Sequence, residues 1–380
     1  MSTIRIPFNR ATLLGNELPY IAEAVENGHL AGDGAFTRRS SKILEEEVGV
    51  PKAFLTTSCT HALEMSGLLL GLEPGDEFIV PSFAFVTTAN AFVLRGAKPV
   101  FIDVRPDTLN MDETQLEGLI TERTKAIVPL HYAGVACEMD PILEIAGRHG
   151  IGVIEDNAHG LFGSYRGRKL GSLGALATQS FHETKNLTCG EGGALLINDT
   201  SLIDRAEILR EKGTDRSRFF RGQVDKYSWV DVGSSYLPSE VLAAFLTAQL
   251  EGRVQIQAKR AEIWNRYQEE LGEWAQNRGV GLPVVPEHCE QPYHMFYLML
   301  PSLEVRGRMI QFLRERGILA VFHYLPLHIS DMGRNFGGKP GDCPVTEDIS
   351  DRLLRLPLFY ALSESEQQEV IDAVQAFDQY

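Results

Sequence analysis

The sequence is short of what several large function classes need. Cysteine is scarce. Cys59, Cys137, Cys189, Cys289 and Cys343 are the only five in 380 residues, they lie far apart, and no C-x-x-C occurs. That excludes a disulfide scaffold and a zinc ribbon. No H-E-x-x-H is present, and no metal site is expected. Positive charge is also in short supply: Lys and Arg number 36 against 51 Asp and Glu, a formal net charge of −15. Binding along a nucleic acid or an anionic bilayer takes a basic surface, so neither is an expected partner. No apolar run approaches the ~20 residues that span a bilayer, and Met1–Phe8 lacks the apolar stretch of a secretory leader. A cytoplasmic protein is expected.

Apolar residues make up 44% of the chain and charged residues 23%, which is globular composition rather than disorder. Between residues 53 and 200, short apolar runs alternate with amphipathic stretches. Strands are predicted at Ala53–Leu55, Glu77–Pro81, Pro99–Val104, Ala126–His131, Gly152–Glu155, Ala175–Phe181 and Ala194–Asn198. The intervening helical patterns include Thr87–Arg95 and Asp140–His149, and Thr200–Glu211 follows the last strand. Such alternation predicts an α/β fold with a mostly parallel central sheet covered on both faces. Near Pro238 the texture changes. Residues 239–275 read as one long helix or two abutting ones, followed by a strand at His294–Leu300, a helix at Val305–Arg316, a strand at Leu319–Tyr324 and a helix at Glu364–Phe377. A large α/β domain over 1–250 and a small α+β domain over 251–380 are expected.

Three features bear chemistry. Ser58-Cys59-Thr60 stands at a strand-to-helix junction, where free N–H groups and hydroxyls suit a phosphate; a plain helix cap is the alternative. Asp156 closes the apolar strand Ile154-Glu155-Asp156, at the end where open α/β sheets bind ligands; a solvated loop acid is the alternative. Lys185 lies between an apolar strand and the turn Gly190-Glu191-Gly192-Gly193, although most lysines are simply solvated. No G-x-G-x-x-G follows the first strand, which weakens a dinucleotide-binding reading. A phosphate-binding helix start, a strand-end acid and a lysine 185 − 156 = 29 residues later together fit pyridoxal 5′-phosphate. Its phosphate needs N–H and hydroxyl donors, its ring nitrogen a carboxylate, and its aldehyde a lysine.

Several further segments carry a resemblance: Gly75-Asp76-Glu77, Pro81-Ser82-Phe83, Val128–Gly134, Ser180-Phe181-His182-Glu183-Thr184-Lys185, Glu191-Gly192-Gly193 and His323-Tyr324-Leu325-Pro326-Leu327-His328. With these, from about Pro7 to Phe377, the chain resembles the DegT/DnrJ/EryC1/StrS sugar aminotransferases, a branch of the fold-type I pyridoxal phosphate enzymes. The resemblance implies transfer of the amino group of L-glutamate to a keto group of a nucleotide sugar, through a pyridoxamine 5′-phosphate form. It implies roles residue by residue. Lys185 is the Schiff-base lysine, Asp156 partners the ring nitrogen, and His159 lies near the phenolic oxygen. Phe85 stacks on the ring, and Cys59, Thr60 and Ser180 contact the phosphate. Ser235 falls where many relatives carry an Asn that reaches the phosphate of the neighbouring subunit. A homodimer or dimer of dimers is implied. Lys185 also excludes the dehydrating branch, which has His at that position.

Residues 214–229 hold Arg216, Arg218, Arg221 and Lys226 among Phe219, Phe220, Tyr227 and Trp229. This basic-aromatic stretch is expected to hold the nucleotide, with Arg218 and Arg221 on the diphosphate; a solvated loop or a dimer contact is the alternative. His323 and Tyr324 either face the sugar or fill the small-domain core. The sequence leaves open which ring carbon is aminated and which base the nucleotide carries. A nucleotide-sugar-binding protein without turnover is the reading from another class, and Lys185 and Asp156 together argue against it.

Overall fold

The computed structural model describes residues 3–378. A seven-stranded sheet carries the architecture. Its strands are β1 (Lys52–Thr56), β2 (Glu77–Pro81), β3 (Lys98–Ile102), β4 (Thr124–Ile127), β5 (Gly152–Asp156), β6 (Leu176–Ser180) and β7 (Gly193–Ile197), in spatial order β1-β7-β6-β5-β4-β2-β3. The run from β3 through β2, β4 and β5 to β6 is parallel. Only β7 is reversed, pairing antiparallel with both β6 and β1. The reason is the connection. Residues 181–192 contain no helix, and without a crossover the chain returns antiparallel to the strand it left.

Alternate side chains of each strand enter different cores. Phe78 and Val80 pack under the helices Cys59–Leu69, Val86–Val93 and Ile203–Arg210, with Ala62, Ala91 and Leu209 at the contact. Ile79, Ile127 and Val153 meet Met139, Ile142 and Ala146 of the helix Met139–His149 on the opposite face. Beside β1 and β7 that face is covered by helices Glu17–Glu26, Ala35–Val48 and Glu240–Glu251, through Ala24, Leu44 and Leu246. The sheet is thus dry on both sides and places one rim of strand ends at a common edge.

Past Gly252 a 26-residue helix, Arg253–Arg278, leads to a second sheet. The predicted run over 239–275 is two helices, broken at Gly252, where a Cβ would fall 1.9 Å from Leu14 Cδ1. The second sheet has strands β8 (Phe296–Met299), β9 (Val321–Phe322) and β10 (Leu353–Leu356), with β10 in the middle and all pairings antiparallel. Phe296, Leu298, Leu354 and Leu356 share a core with Trp264, Tyr267, Met309 and Val374. Several predicted strands are shorter than expected: Pro99–Val104 ends at Ile102, and His294–Leu300 keeps Phe296–Met299. In two more the cause is local. The strand at Ala126–His131 ends at Ile127, because Pro129 brings no N–H to a ladder; beyond it a single bridge joins Leu130 to Asp156. The strand at Leu319–Tyr324 keeps only Val321–Phe322, since His323 and Tyr324 turn into a cavity wall. Among the described residues no helix is long and apolar enough to cross a membrane.

Candidate active site

A cavity of about 580 Å³ opens at the carboxyl ends of the parallel strands. Four strands contribute by their exits. Ser58, Cys59 and Thr60 follow β1, Phe85 follows β2, Asp156 ends β5, Ser180 ends β6, and Lys185 lies in the loop to β7. His159, His323 and Tyr324 complete the wall.

Asp156 is 3% exposed, so it is not a solvated loop acid. The Thr88 hydroxyl donates to its Oδ2 at 2.6 Å, and the Ala158 N–H donates to its Oδ1 at 3.1 Å. Burial pushes its carboxyl pKa up, against the pull of those two donors and of Lys185. A cation placed against it holds it ionised. Its neighbour Glu155 points to the other face and is wholly structural. It accepts the N–H groups of Gly171, Leu173 and Gly174 at 2.7–2.8 Å and pairs with His131 Nε2 at 2.9 Å. That anchor fixes the strand end that carries Asp156.

Lys185 is no surface lysine. Its loop is tied down by Phe181 N–H to Gly192 O at 2.8 Å and Cys189 N–H to Phe181 O at 3.0 Å. Burial lowers the ammonium pKa to about 8, with Asp156 opposing. A larger fraction of the amine is therefore neutral near pH 7 than for a solvated lysine. Gly193 behind it is required by close packing, since a Cβ there would meet Cys59 N at 2.4 Å. Gly192 is packed as tightly, with a Cβ there falling 2.5 Å from Cys189 Sγ, whereas Gly190 is needed for its positive φ of 85°.

The start of the helix Cys59–Leu69 satisfies both readings of its sequence. The Ser58 hydroxyl caps the helix, accepting the His61 N–H at 3.1 Å. Cys59 and Thr60 are its first two residues, whose N–H groups have no partner within a helix, and both face the cavity. Burial pushes the Cys59 thiol up to about 12, which keeps it protonated.

His159 is 5% exposed and is held neutral chiefly by burial. Its Nδ1 is buried without a hydrogen-bond partner among the described residues, while Nε2 lies 3.4 Å from the Tyr324 hydroxyl. The Tyr132 hydroxyl is 3.0 Å from His323 Nδ1. Phe85 keeps 54% of its surface exposed at the mouth, an uncovered ring face. These residues fit pyridoxal 5′-phosphate. The unpartnered Nδ1 suits the phenolic oxygen, Asp156 the protonated ring nitrogen, Lys185 the aldehyde, and the open helix start with Ser180 the phosphate.

The cavity gathers Cys59, Thr60, Phe85, Asp156, His159, Ser180, Lys185, His323 and Tyr324. It does not gather Arg218, Arg221 or Ser235. Arg218 pairs with Asp204, and Arg221 with Glu207, each at 2.9 Å on the outer surface. Ser235 is exposed, but the next residue anchors its strand of chain beside the site, where the Thr57 N–H donates to Tyr236 O at 2.9 Å. Three contributors were missed by sequence reasoning. Thr88 had no distinguishing signal. His294 stacks on His159 with ring centroids 4.4 Å apart and had none either. Arg355 did have one: a lone arginine inside the run Leu353-Leu354-Arg355-Leu356.

The DegT/DnrJ/EryC1/StrS aminotransferase family matches residues 13–375. GDP-perosamine synthase of Caulobacter vibrioides is 35% identical over 97% of each chain. The spore coat polysaccharide biosynthesis protein SpsC of Bacillus subtilis is 33% identical, over 97% of this chain and 96% of that one. Among solved structures, the aminotransferase TlmJ of Streptoalloteichus hindustanus superposes with a TM-score of 0.89 at 32% identity, covering 98% of both chains. Spr1654 of Streptococcus pneumoniae, in its pyridoxal phosphate form, superposes with a TM-score of 0.90 at 27% identity, covering 97% of both chains. Family, fold and cavity chemistry agree, and the chain belongs to the DegT/DnrJ/EryC1/StrS family as a pyridoxal phosphate-dependent sugar aminotransferase.

Proposed function

We propose that this aminotransferase moves the amino group of L-glutamate to the C4 ketone of dTDP-4-keto-6-deoxy-D-glucose. The products would be 2-oxoglutarate and dTDP-4-amino-4,6-dideoxy-D-galactose, an amino sugar of the kind built into enterobacterial common antigen. The observation that carries transamination is the placement of Lys185 and Asp156 in one cavity, the lysine with a depressed pKa and the carboxylate dry. The finer substrate rests on sequence. Phe8-Asn9, Gly32–Arg39, Ala89–Lys98 and Phe219–Tyr227 resemble the 4-amino-4,6-dideoxygalactose-forming enzyme more than its relatives.

When bound, pyridoxal 5′-phosphate supplies the aldehyde that takes the amino group and the electron sink that acidifies the donor's Cα–H. Lys185 Nζ, as a neutral amine, takes the proton from Cα and passes it on. Asp156 keeps a ring nitrogen protonated against it. His159 stays uncharged and offers Nδ1 as a donor toward the phenolic oxygen. His323 and Tyr324 bound the sugar side. A cytoplasmic setting suits five thiols that are all free.

The active unit in this reading is a homodimer. Phe220 and Trp229 are 70% and 81% exposed in the single chain, on a segment anchored beside the phosphate cradle. A second copy would cover those rings and carry Arg218, Arg221 and Ser235 toward the neighbouring cavity.

A guanosine-linked sugar is the second reading, favoured by the 35% identity to GDP-perosamine synthase. A panel of dTDP- and GDP-keto sugars with L-glutamate, with products solved by NMR, decides between them. An axial amine at C4 of a dTDP sugar is expected. Amination at C3, or of GDP sugars alone, would overturn the assignment.

A further inference from the structure

His294 lies just before β8, and its seat is built by a helix remote from the cavity floor. The consecutive carbonyls from Pro292 to Met295 are each held by a side chain of the helix Arg253–Arg278. Gln257 Nε2 donates to Pro292 O at 3.1 Å and Trp264 Nε1 to Met295 O at 3.2 Å. Between them, Arg260 donates from Nε to Tyr293 O at 3.0 Å and from Nη2 to His294 O at 2.6 Å. Residues 257, 260 and 264 are three and four apart, so they share one helix face. The seat is costly. Arg260 is 3% exposed and commits a buried guanidinium to two carbonyls. Tyr293 is held at a φ of 54°, a left-handed backbone that few residues other than glycine adopt. What the seat fixes is the His294 ring. Asn186 stands next to Lys185, and its Nδ2 donates at 2.6 Å to Pro292 O, an atom that can only accept. That turns Asn186 Oδ1 toward His294 Nδ1, 2.8 Å away, so Nδ1 carries a proton.

The ring so locked lies almost flat on His159, with centroids 4.4 Å and planes 19° apart. His159 needs such a constraint. Its Nε2 reaches only the Tyr324 hydroxyl, at 3.4 Å, and its Nδ1 has no partner among the described residues. The torsion that turns an imidazole about its Cβ–Cγ bond is soft, and a half-turn would put a carbon where Nδ1 stands. A ring pressed against the face blocks that turn. Strained backbone and committed buried donors are kept where a group must be held for use. We propose that His294 is the positioning residue for the cofactor's phenolic oxygen: its face clamps His159 in the plane that keeps Nδ1 toward that oxygen, and Asn186 ties the clamp to the residue beside Lys185. This rests on His159 facing the phenolic oxygen. The arrangement gives the two ends of the reacting system, amine and phenolic oxygen, one common support.

The test reads binding and not turnover. The protein freed of cofactor is titrated with pyridoxamine 5′-phosphate, which has the phenolic oxygen but no aldehyde to bond Lys185. It is titrated in parallel with the 3-deoxy analogue, which lacks that oxygen. The ratio of the two affinities isolates the phenolic contact from the phosphate cradle and from Asp156. His159→Phe is expected to lower the ratio by ~10- to 100-fold, the worth of a hydrogen bond to a charged group. His294→Ala should bring it to within about threefold of the His159→Phe value, while the 3-deoxy analogue binds nearly as it does to the native protein. His294→Phe keeps a flat ring and loses the donor to Asn186, so its ratio should fall between. A side chain that only supports the fold would weaken both ligands alike and leave the ratio native. A second measurement needs no variant to fold. Nitrogen-15 signals of the native protein, assigned through bonds, should show the His294 ring with its proton on Nδ1. The proposal is overturned if His294→Ala keeps the native ratio, or if Nδ1 of His294 carries no proton. Its failure is separable from that of the His159 assignment. A ratio that falls in His159→Phe and stays native in His294→Ala removes the clamp and keeps the role of His159; a native ratio in His159→Phe removes both.

Discussion

The cavity floor and the segment 213–236 are both rich in aromatic and cationic side chains, yet they are built in opposite ways. On the floor every polar group that matters is fixed by a buried neighbour. Thr88 and Ala158 hold Asp156, the pinned loop holds Lys185, and Ser58 caps the helix beneath the cradle. In the segment, Trp229 and Phe220 face solvent, and Arg218 and Arg221 rest on the exposed Asp204 and the half-buried Glu207. Groups that move protons must be preorganised and dry, so one chain finishes them. In the proposed dimer, groups that grip a large substrate would wait for a second copy, which would cover the rings and complete the pocket. Arg355 stands on the same cavity wall, and its buried Nε, like Nδ1 of His159, has no hydrogen-bond partner among the described residues.

The largest effects should come from the floor. Lys185→Ala is expected to lower turnover by more than ~10⁴-fold, beyond the ~10²–10⁴-fold of an ordinary proton relay, because proton transfer and release of product both suffer. Overall product formation under saturating substrates measures it, and a variant keeping a hundredth of native turnover contradicts the role. Asp156→Asn keeps the shape and loses the charge. The cofactor should remain bound while turnover falls by at least ~10²-fold, the loss of one preorganised electrostatic partner. Near-normal turnover in the purified variant would show that the dry carboxylate is only structural.

The floor was largely legible in the sequence because it is local. Asp156 ends an apolar strand, Lys185 follows another, and Ser58-Cys59-Thr60 opens a helix, so strand order and short spacings put them together. The same logic found the alternating strands and helices. It found less where contacts are remote. The helices Glu17–Glu26 and Ala35–Val48 cover the sheet beside β1 and β7, but their sequences announce nothing about that partner. β10 is short and follows a helix directly, so its period is hard to see, and Arg355 was lost with it. His294 and Phe8 reach the cavity from segments more than 100 residues from Lys185 in sequence, through packing that no periodicity encodes. The break at Gly252 depends on Leu14, a residue far upstream.

Whether the segment serves a neighbouring cavity can be settled by mixing. Chains carrying Lys185→Ala lack the amine, and chains carrying Arg218→Ala, Arg221→Ala and Ser235→Ala together lack the grip. Each should be nearly inactive alone. In a shared-site dimer, about half the molecules are mixed and each holds one intact site, so activity returns toward about a quarter of native. If subunit exchange is confirmed and no activity returns, those residues act within their own chain and the contrast with the floor collapses. A triple variant that is fully active alone removes them from substrate binding altogether.

The smallest expected effect tests the contrast in a single chain, through stability. The Ser58 backbone is extended, and its hydroxyl satisfies an N–H that the helix itself leaves open. Ser58→Ala removes that acceptor and should cost about 1 kcal/mol, the usual worth of a serine cap. Arg218→Ala removes an ion pair whose two side chains are 40% and 72% exposed, and solvent-exposed pairs contribute only about 0–1 kcal/mol, with the more exposed ones at the low end. Urea midpoints of the two variants, both without cofactor and at a concentration where the protein is monomeric, should therefore fall in the order native, Arg218→Ala, Ser58→Ala, with Arg218→Ala close to native. Salt should separate them further, because screening weakens the ion pair and leaves the cap untouched. A larger loss at Arg218 than at Ser58 would mean that the segment is braced within one chain. Its arginines would then be structural, and the grip on the nucleotide would have to be sought elsewhere.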